Sequence, residues 1–169
     1  MILIRPEAPR DSAGVRRVNE QAFGQPAEAD LVDALRPTAQ TALSLVAELD
    51  GQVVGHILFT RVQLDSGESE STALALGPMA VLPEHQRRGV GSRLVQEGLE
   101  QCKHLGHDVV FVLGHPAYYP RFGFEPAPPK GITCAWDVPP EVFMVAELQP
   151  GALRSRRGLV RYAQEFSNV

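Results

Sequence analysis

The segment Leu82-Pro83-Glu84-His85-Gln86-Arg87-Arg88-Gly89-Val90-Gly91-Ser92-Arg93-Leu94 has the makings of an anion site. An apolar run precedes it, two arginines sit at the turn, and Gly89 and Gly91 open a helical pattern. Free N–H groups at a helix start point the same way and carry partial positive charge. Glycine lets the backbone approach a phosphate closely, and arginine adds a planar fork that matches its oxygens. The expected ligand group is a pyrophosphate at Arg87, Arg88, Gly89 and Gly91. Two other phosphate motifs fit poorly. There is no GxxxxGK[ST], and no third glycine completes GxGxxG after an early strand.

A second block, Gly114-His115-Pro116-Ala117-Tyr118-Tyr119-Pro120-Arg121-Phe122-Gly123-Phe124, places two adjacent phenols on a short turn. Such tyrosines can donate a proton, or pack on a sheet with only the hydroxyl wet. Cys102, His104 and His107 invite a metal reading, but Cys102 and His104 are two residues apart and point to different sides of a helix. Cys102 suits the apolar stripe, and the histidines suit a helix end, so no metal site is expected.

The elements that position these residues follow from periodicity and punctuation. Ile2 to Arg5 reads as a strand, and Asp11 as a cap for a helix from Ser12 to Phe23. That helix shows Val15, Val18, Ala22 and Phe23 on one face. A shorter helix spans Ala27 to Leu35. Leu43 to Leu49 and Gln52 to Leu64 are strands joined by Asp50-Gly51, a strong hairpin signal. Thr72 to Val81 is a strand interrupted by Gly77-Pro78, which marks a bulge or a close backbone approach. Gly89 to Leu105 is the best helix, with Leu94, Gly98, Cys102 and Leu105 in one stripe. Val109 to Leu113 is a strand apolar on both faces. A helical turn over Ala117 to Arg121, a loop over Pro126 to Pro129, and strands at Phe143 to Leu148 and Leu159 to Tyr162 complete the chain. The fold class is α/β (α+β), a single sheet flanked by helices, with a parallel crossover from Thr72 to Leu113.

Composition narrows the function. The 169 residues suit one domain, spanning 1–169. A net charge of −4 argues against a general nucleic-acid binder. No apolar run is long enough for a bilayer and the start lacks a signal-peptide pattern. The two cysteines suggest no disulfide framework, so a cytoplasmic protein without membrane or nucleic-acid partners is expected.

Gln86-x-x-Gly89-x-Gly91 after a strand resembles the Q/R-x-x-G-x-G/A signature of the GNAT superfamily, the Gcn5-related N-acetyltransferases. The preceding Gly77 to His85 looks like the cofactor strand and loop of a small bacterial subgroup, and Tyr119 stands four residues before Gly123-Phe124, as in the family. The resemblance is sharp from Leu74 to Pro126 and follows element order over nearly the whole chain. It implies a mixed central sheet with a splayed parallel strand pair, and acetyl-CoA as co-substrate without a metal. It implies that Gln86, Arg87, Arg88, Gly89, Val90, Gly91 and Ser92 hold the pyrophosphate, and that the backbone of Met79, Ala80 and Val81 contacts the pantetheine and polarises the thioester. It implies Tyr119 as general acid, with Tyr118 as the alternate. A phenol near ~10 can protonate a thiolate near ~8.5 without a steep climb. The family asparagine after the buried strand is missing; Gly114-His115-Pro116 stands there. Among Glu20, Glu28, Glu48 and His56, Glu28 is the candidate base, with a water chain as the other route. The implied activity is direct acetyl transfer in a ternary complex to the primary amine of a small molecule or peptide, by a monomer or homodimer. The alternative is a non-catalytic acyl-CoA sensor on the same fold.

Overall fold

The computed structural model describes residues 1–168. In chain order the strands are β1 (Leu3–Pro6), β2 (Thr41–Leu49), β3 (Gln52–Asp65), β4 (Glu70–Val81) and β5 (Val109–Leu113). Four more follow: β6 (Glu125–Pro126), β7 (Ile132–Cys134), β8 (Phe143–Glu147) and β9 (Gly158–Arg161). The helices are α1 (Ser12–Phe23), α2 (Ala27–Leu35) and α3 (Val90–His104). The sheet runs β1-β2-β3-β4-β5-β8-β6, and β9 joins the far end of β3 while pairing with β7. The β4–β5 and β7–β9 pairs are parallel; the others are antiparallel. This is the expected mixed sheet flanked by helices.

Period-two alternation explains why the central strands read as continuously apolar. Leu74 and Leu76 of β4, with Val110 and Val112 of β5, join a core cluster that also holds residues of α1, α2 and α3. Ala73, Ala75, Val109 and Phe111 face the other cluster, where Phe111 stacks on Phe143 with centroids 5.5 Å apart. Both faces of these strands are thus covered. The β2–β3 hairpin turns through Asp50 (φ 50°) and Gly51 (φ 78°), the left-handed pair that a two-residue turn requires.

Four details depart from the sequence expectations. Leu105 is the residue after α3 and 59% exposed, so the buried stripe ends at Cys102. Phe23 ends α1 and is 40% exposed rather than packed with Val15 and Val18. Asp11 holds the cap position of α1, but its carboxylate instead takes the Ala8 N–H (2.7 Å) and the Arg5 guanidinium (2.7 and 2.9 Å). The stretch expected as loop from Pro126 to Pro129 begins in β6 and continues as a 3-10 turn.

His56 of β3 is fully buried between helix and sheet. Its Nδ1 lies 3.2 Å from Asn19 Nδ2, and its Nε2 lies 3.0 Å from Ser44 Oγ. Ser44 in turn donates to Glu7. Burial pushes the imidazole down to about 4; nearby Glu7 opposes this and Arg36 adds to it. The unfolded chain therefore binds more protons than the folded one between the ordinary histidine value, ~6.5, and about 4. Stability should be full above that window and fall with pH through it, by about 3 kcal/mol in all. Asp11, held down to about 2 by Arg5, loses its own contribution only at lower pH. Urea unfolding across pH 4–7 tests this: His56→Gln should flatten the slope, and an unchanged slope would assign the acid sensitivity elsewhere.

Candidate active site

The site begins where β4 and β5 part. Their parallel pairing covers only Leu74–Leu76 against Val110–Val112. Past Leu76, Gly77 (φ 144°) and Pro78 form a bulge: Leu76 pairs with Phe59 and Met79 with Ile57, so two residues of β4 face one of β3. Gly77 takes a backbone conformation that side chains resist, and Pro78 has no N–H to give a ladder. The strand leaves β5 at this point but stays on β3. Met79, Ala80 and Val81 therefore keep their β3 partners and leave their other edge without a strand.

The turn after β4 is fastened by Gln86, whose Nε2 donates to the Val81 carbonyl at 2.9 Å. Arg87 (φ 63°) and Gly89 (φ 81°) are both left-handed, and Gly89 is the N-cap of α3. Arg93 N–H reaches back to the Gly89 carbonyl (3.1 Å). The N–H groups of Val90, Gly91 and Ser92 have no protein partner among the described residues, and no side chain caps them. A Cβ built on Gly89 meets nothing within 4 Å, so the backbone there fronts open space. These unpaired donors border a cavity of about 480 Å³, which Met79, Ala80, Val81 and Arg87 also line. Arg88 is exposed and does not line it.

A second cavity of about 520 Å³ opens at the splay, lined by Gly77, Pro78, Leu113, Tyr119 and Glu28. Phe23, Met79 and Tyr118 border both cavities, which makes one continuous cleft. The two tyrosines divide within it. Tyr118 Oη lies 3.1 Å from Ser92 Oγ, and the Arg121 guanidinium stands 4.6 Å from its ring centroid. Tyr119 is 8% exposed, edge-on to Tyr118 (5.1 Å) and Phe124 (5.7 Å). Its ring packs so closely on Gly114 that a Cβ there would overlap it. Burial, with a smaller contribution from Tyr118, pushes the Tyr119 phenol up to about 12. His115 is exposed at the cavity wall, and its carbonyl accepts the N–H groups of Tyr118 and Tyr119 (3.0 and 3.3 Å).

Of the four groups considered as bases, only Glu28 lines the cleft. Gln25 Nε2 donates to both its oxygens, at 3.0 and 3.1 Å. Glu48 pairs with Arg5 (2.7 Å), Glu20 lies 3.4 Å from Arg16, and His56 belongs to the core. Among the described residues no group of three or more His, Cys, Asp or Glu could hold a metal ion. Burial pushes the Cys102 thiol up to about 12, as befits a packed residue. The late aromatics Trp136, Tyr162 and Phe166 also line the second cavity, and sequence reasoning missed them. The available signal was the single tryptophan, three residues before Pro139-Pro140 and outside any periodic element, where a large ring asks for a partner.

This geometry has close counterparts. The acetyltransferase (GNAT) domain family matches residues 4–127. The chain is 36% identical to YhbS of Escherichia coli, an uncharacterised N-acetyltransferase, over 98% of this chain and 99% of that one. It is 47% identical to YjhQ, another uncharacterised N-acetyltransferase of Escherichia coli, over 78% of this chain and 74% of that one. The crystal structure of YhbS in complex with CoA superimposes with a TM-score of 0.93, covering 98% of this chain and 92% of that one. A GNAT acetyltransferase from Brucella melitensis in complex with acetyl-CoA gives 0.81 at 37% identity, covering 98% of each chain. The cleft therefore lies in a member of a known enzyme family: the chain belongs to the GNAT acetyltransferases.

Proposed function

We propose that this N-acetyltransferase binds acetyl-CoA along the cleft, with the pyrophosphate at the start of α3 and the thioester at the β4–β5 splay. One observation carries the placement: a row of unpartnered N–H groups at Val90 to Ser92 opens into the same cleft as the free edge of Met79 to Val81. The fit is one of donors to acceptors, since phosphate oxygens and pantetheine amides supply what these backbone groups lack. Bound there, acetyl-CoA supplies an acetyl group activated as a thioester.

The protein's own groups do the rest. The free backbone edge of Met79 to Val81 orients the thioester and polarises its carbonyl. Glu28, or water beside it, takes a proton from the incoming amine. Tyr119 holds its proton at Oη for the leaving sulfur. With the phenol near about 12 and a thiol near ~8.5, complete transfer is uphill by about 5 kcal/mol, so Tyr119 acts chiefly as a hydrogen-bond donor while charge grows on sulfur. Tyr118 ties the Tyr119 turn to the anion site through Ser92. The whole chain forms one acyltransferase domain, because β9 returns to pair with β3 and brings the late segments into the sheet. Both thiols are free, which suits the cytoplasm.

Removing both Arg87 and Arg88 tests the pyrophosphate placement. Replacement by alanine should weaken CoA more than pantetheine, by on the order of 1–3 kcal/mol for a well-formed contact and less for an exposed one. Arg87→Ala alone should produce most of the loss, because Arg87 borders the cavity and Arg88 does not. Calorimetric titration with both ligands reads the difference. Equal losses for CoA and pantetheine would move the phosphates away from this turn.

A further inference from the structure

The acceptor half of the cleft has a distinctive charge balance. Glu28 is the sole carboxylate on its wall, and no lysine or arginine lines it among the described residues. The remaining wall is rich in aromatic rings. Trp136 packs against Tyr162 with centroids 4.7 Å apart, and Tyr162 against Phe166 at 5.2 Å. Trp136 is 36% and Phe23 40% exposed, so both large rings on this wall are only partly covered by the protein. The Tyr162 hydroxyl is buried and has no hydrogen-bond partner among the described residues.

We propose that the acceptor is a compact arylalkyl monoamine, its ammonium directed to Glu28 and its ring laid against Trp136 and Tyr162. This assignment rests on the acetyl-transfer reading of the same cleft. An amino-acid carboxylate would enter facing Glu28 with no lysine or arginine on that wall to receive it. A diamine would bring a second ammonium into a wall with one carboxylate, leaving a charge unpaired. An aromatic body, by contrast, gains edge-on or offset contacts from rings already in place. In the reaction the amine nitrogen bonds to the acetyl carbon, and the carbon–sulfur bond breaks with its electron pair on sulfur. Tyr119 donates a hydrogen bond to the sulfur as charge grows there. Of the two protons the ammonium gives up, Glu28 passes one to solvent and the other ends on the sulfur of CoA.

Initial rates of CoA release from acetyl-CoA with phenethylamine, phenylalanine, cadaverine and a lysine-containing peptide test the assignment. Phenethylamine should show the highest kcat/KM, by roughly tenfold or more, since a missing or misplaced group in such a pocket costs about that much. Trp136→Ala should lower kcat/KM for phenethylamine about tenfold, mainly through KM, and Trp136→Phe should restore most of it. A preference for phenylalanine, cadaverine or the peptide overturns the proposal. So does an unchanged kcat/KM for phenethylamine in a folded Trp136→Ala. CoA titration of the same preparations separates the two levels. A protein that binds CoA but prefers another amine loses only this acceptor class, whereas one that binds no CoA loses the acetyl-transfer reading as well.

Discussion

Gly89→Glu should raise the dissociation constant for CoA by at least about 100-fold while the chain still folds, a change on the order of 3 kcal/mol. Two effects combine at this position. Gly89 sits at φ 81°, where a side chain is strained, and its Cβ direction is open, so a glutamate would extend beside the unpaired N–H groups of Val90 to Ser92. Its carboxylate would compete for those donors and repel a pyrophosphate. Asparagine tolerates the left-handed conformation and carries no charge. Gly89→Asn should therefore keep most of the CoA affinity at a similar melting temperature. That contrast separates electrostatics from backbone strain. Near-native CoA affinity in a folded Gly89→Glu would remove the anion site from the start of α3.

The build of that turn was legible in the sequence because every part of it is local. Gln86 to Ser92 are contiguous, and the glycines, arginines and amphipathic helix sit where backbone geometry alone needs them. The strand break at Gly77-Pro78 was legible for the same reason, and the splay it produces follows from a missing N–H and an unusual φ. Gln86 lines the cavity beside the start of α3, and its side-chain amide also donates to the Val81 carbonyl and shapes the turn. The acceptor wall is the opposite case. β9 pairs with β3 across a long stretch of chain, β7 pairs with β9 alone among the described residues, and between β7 and β9 the chain passes through a 3-10 turn, β8 and irregular loops. Strands were expected at Phe143 to Leu148 and Leu159 to Tyr162, where β8 and β9 form, but no periodicity announces which partners they take, because that pairing is non-local. Trp136, Tyr162 and Phe166 are brought to the cleft by that pairing, and their spacing in the chain carries no trace of it. Phe23 fits the apolar face of α1 by periodicity, but the helix ends there and the ring turns to the cleft.

Tyr119→Phe should leave CoA binding nearly unchanged and lower kcat by roughly 10²–10⁴, the usual effect of losing a positioned proton donor. The substitution keeps the ring, and with it the edge-on contacts to Tyr118 and Phe124 and the fit over Gly114. Tyr118→Phe removes a hydroxyl whose partner is Ser92 and should lower kcat much less, with any loss felt first in CoA affinity. The pH profile adds an independent reading. An ordinary phenol would begin to ionise near ~10 and take activity with it. Buried at the splay, Tyr119 is pushed up to about 12, so it stays protonated through the alkaline range in which amines become nucleophilic. The rate should rise with pH as the acceptor amine loses its proton and should hold through pH 10, falling only toward about 12. A fall centred near pH 10 that survives in Tyr119→Phe would assign the titration to another group. A fully active Tyr119→Phe beside an inactive Tyr118→Phe would give the proton to the tyrosine tied to Ser92, and shift the thioester toward the anion site.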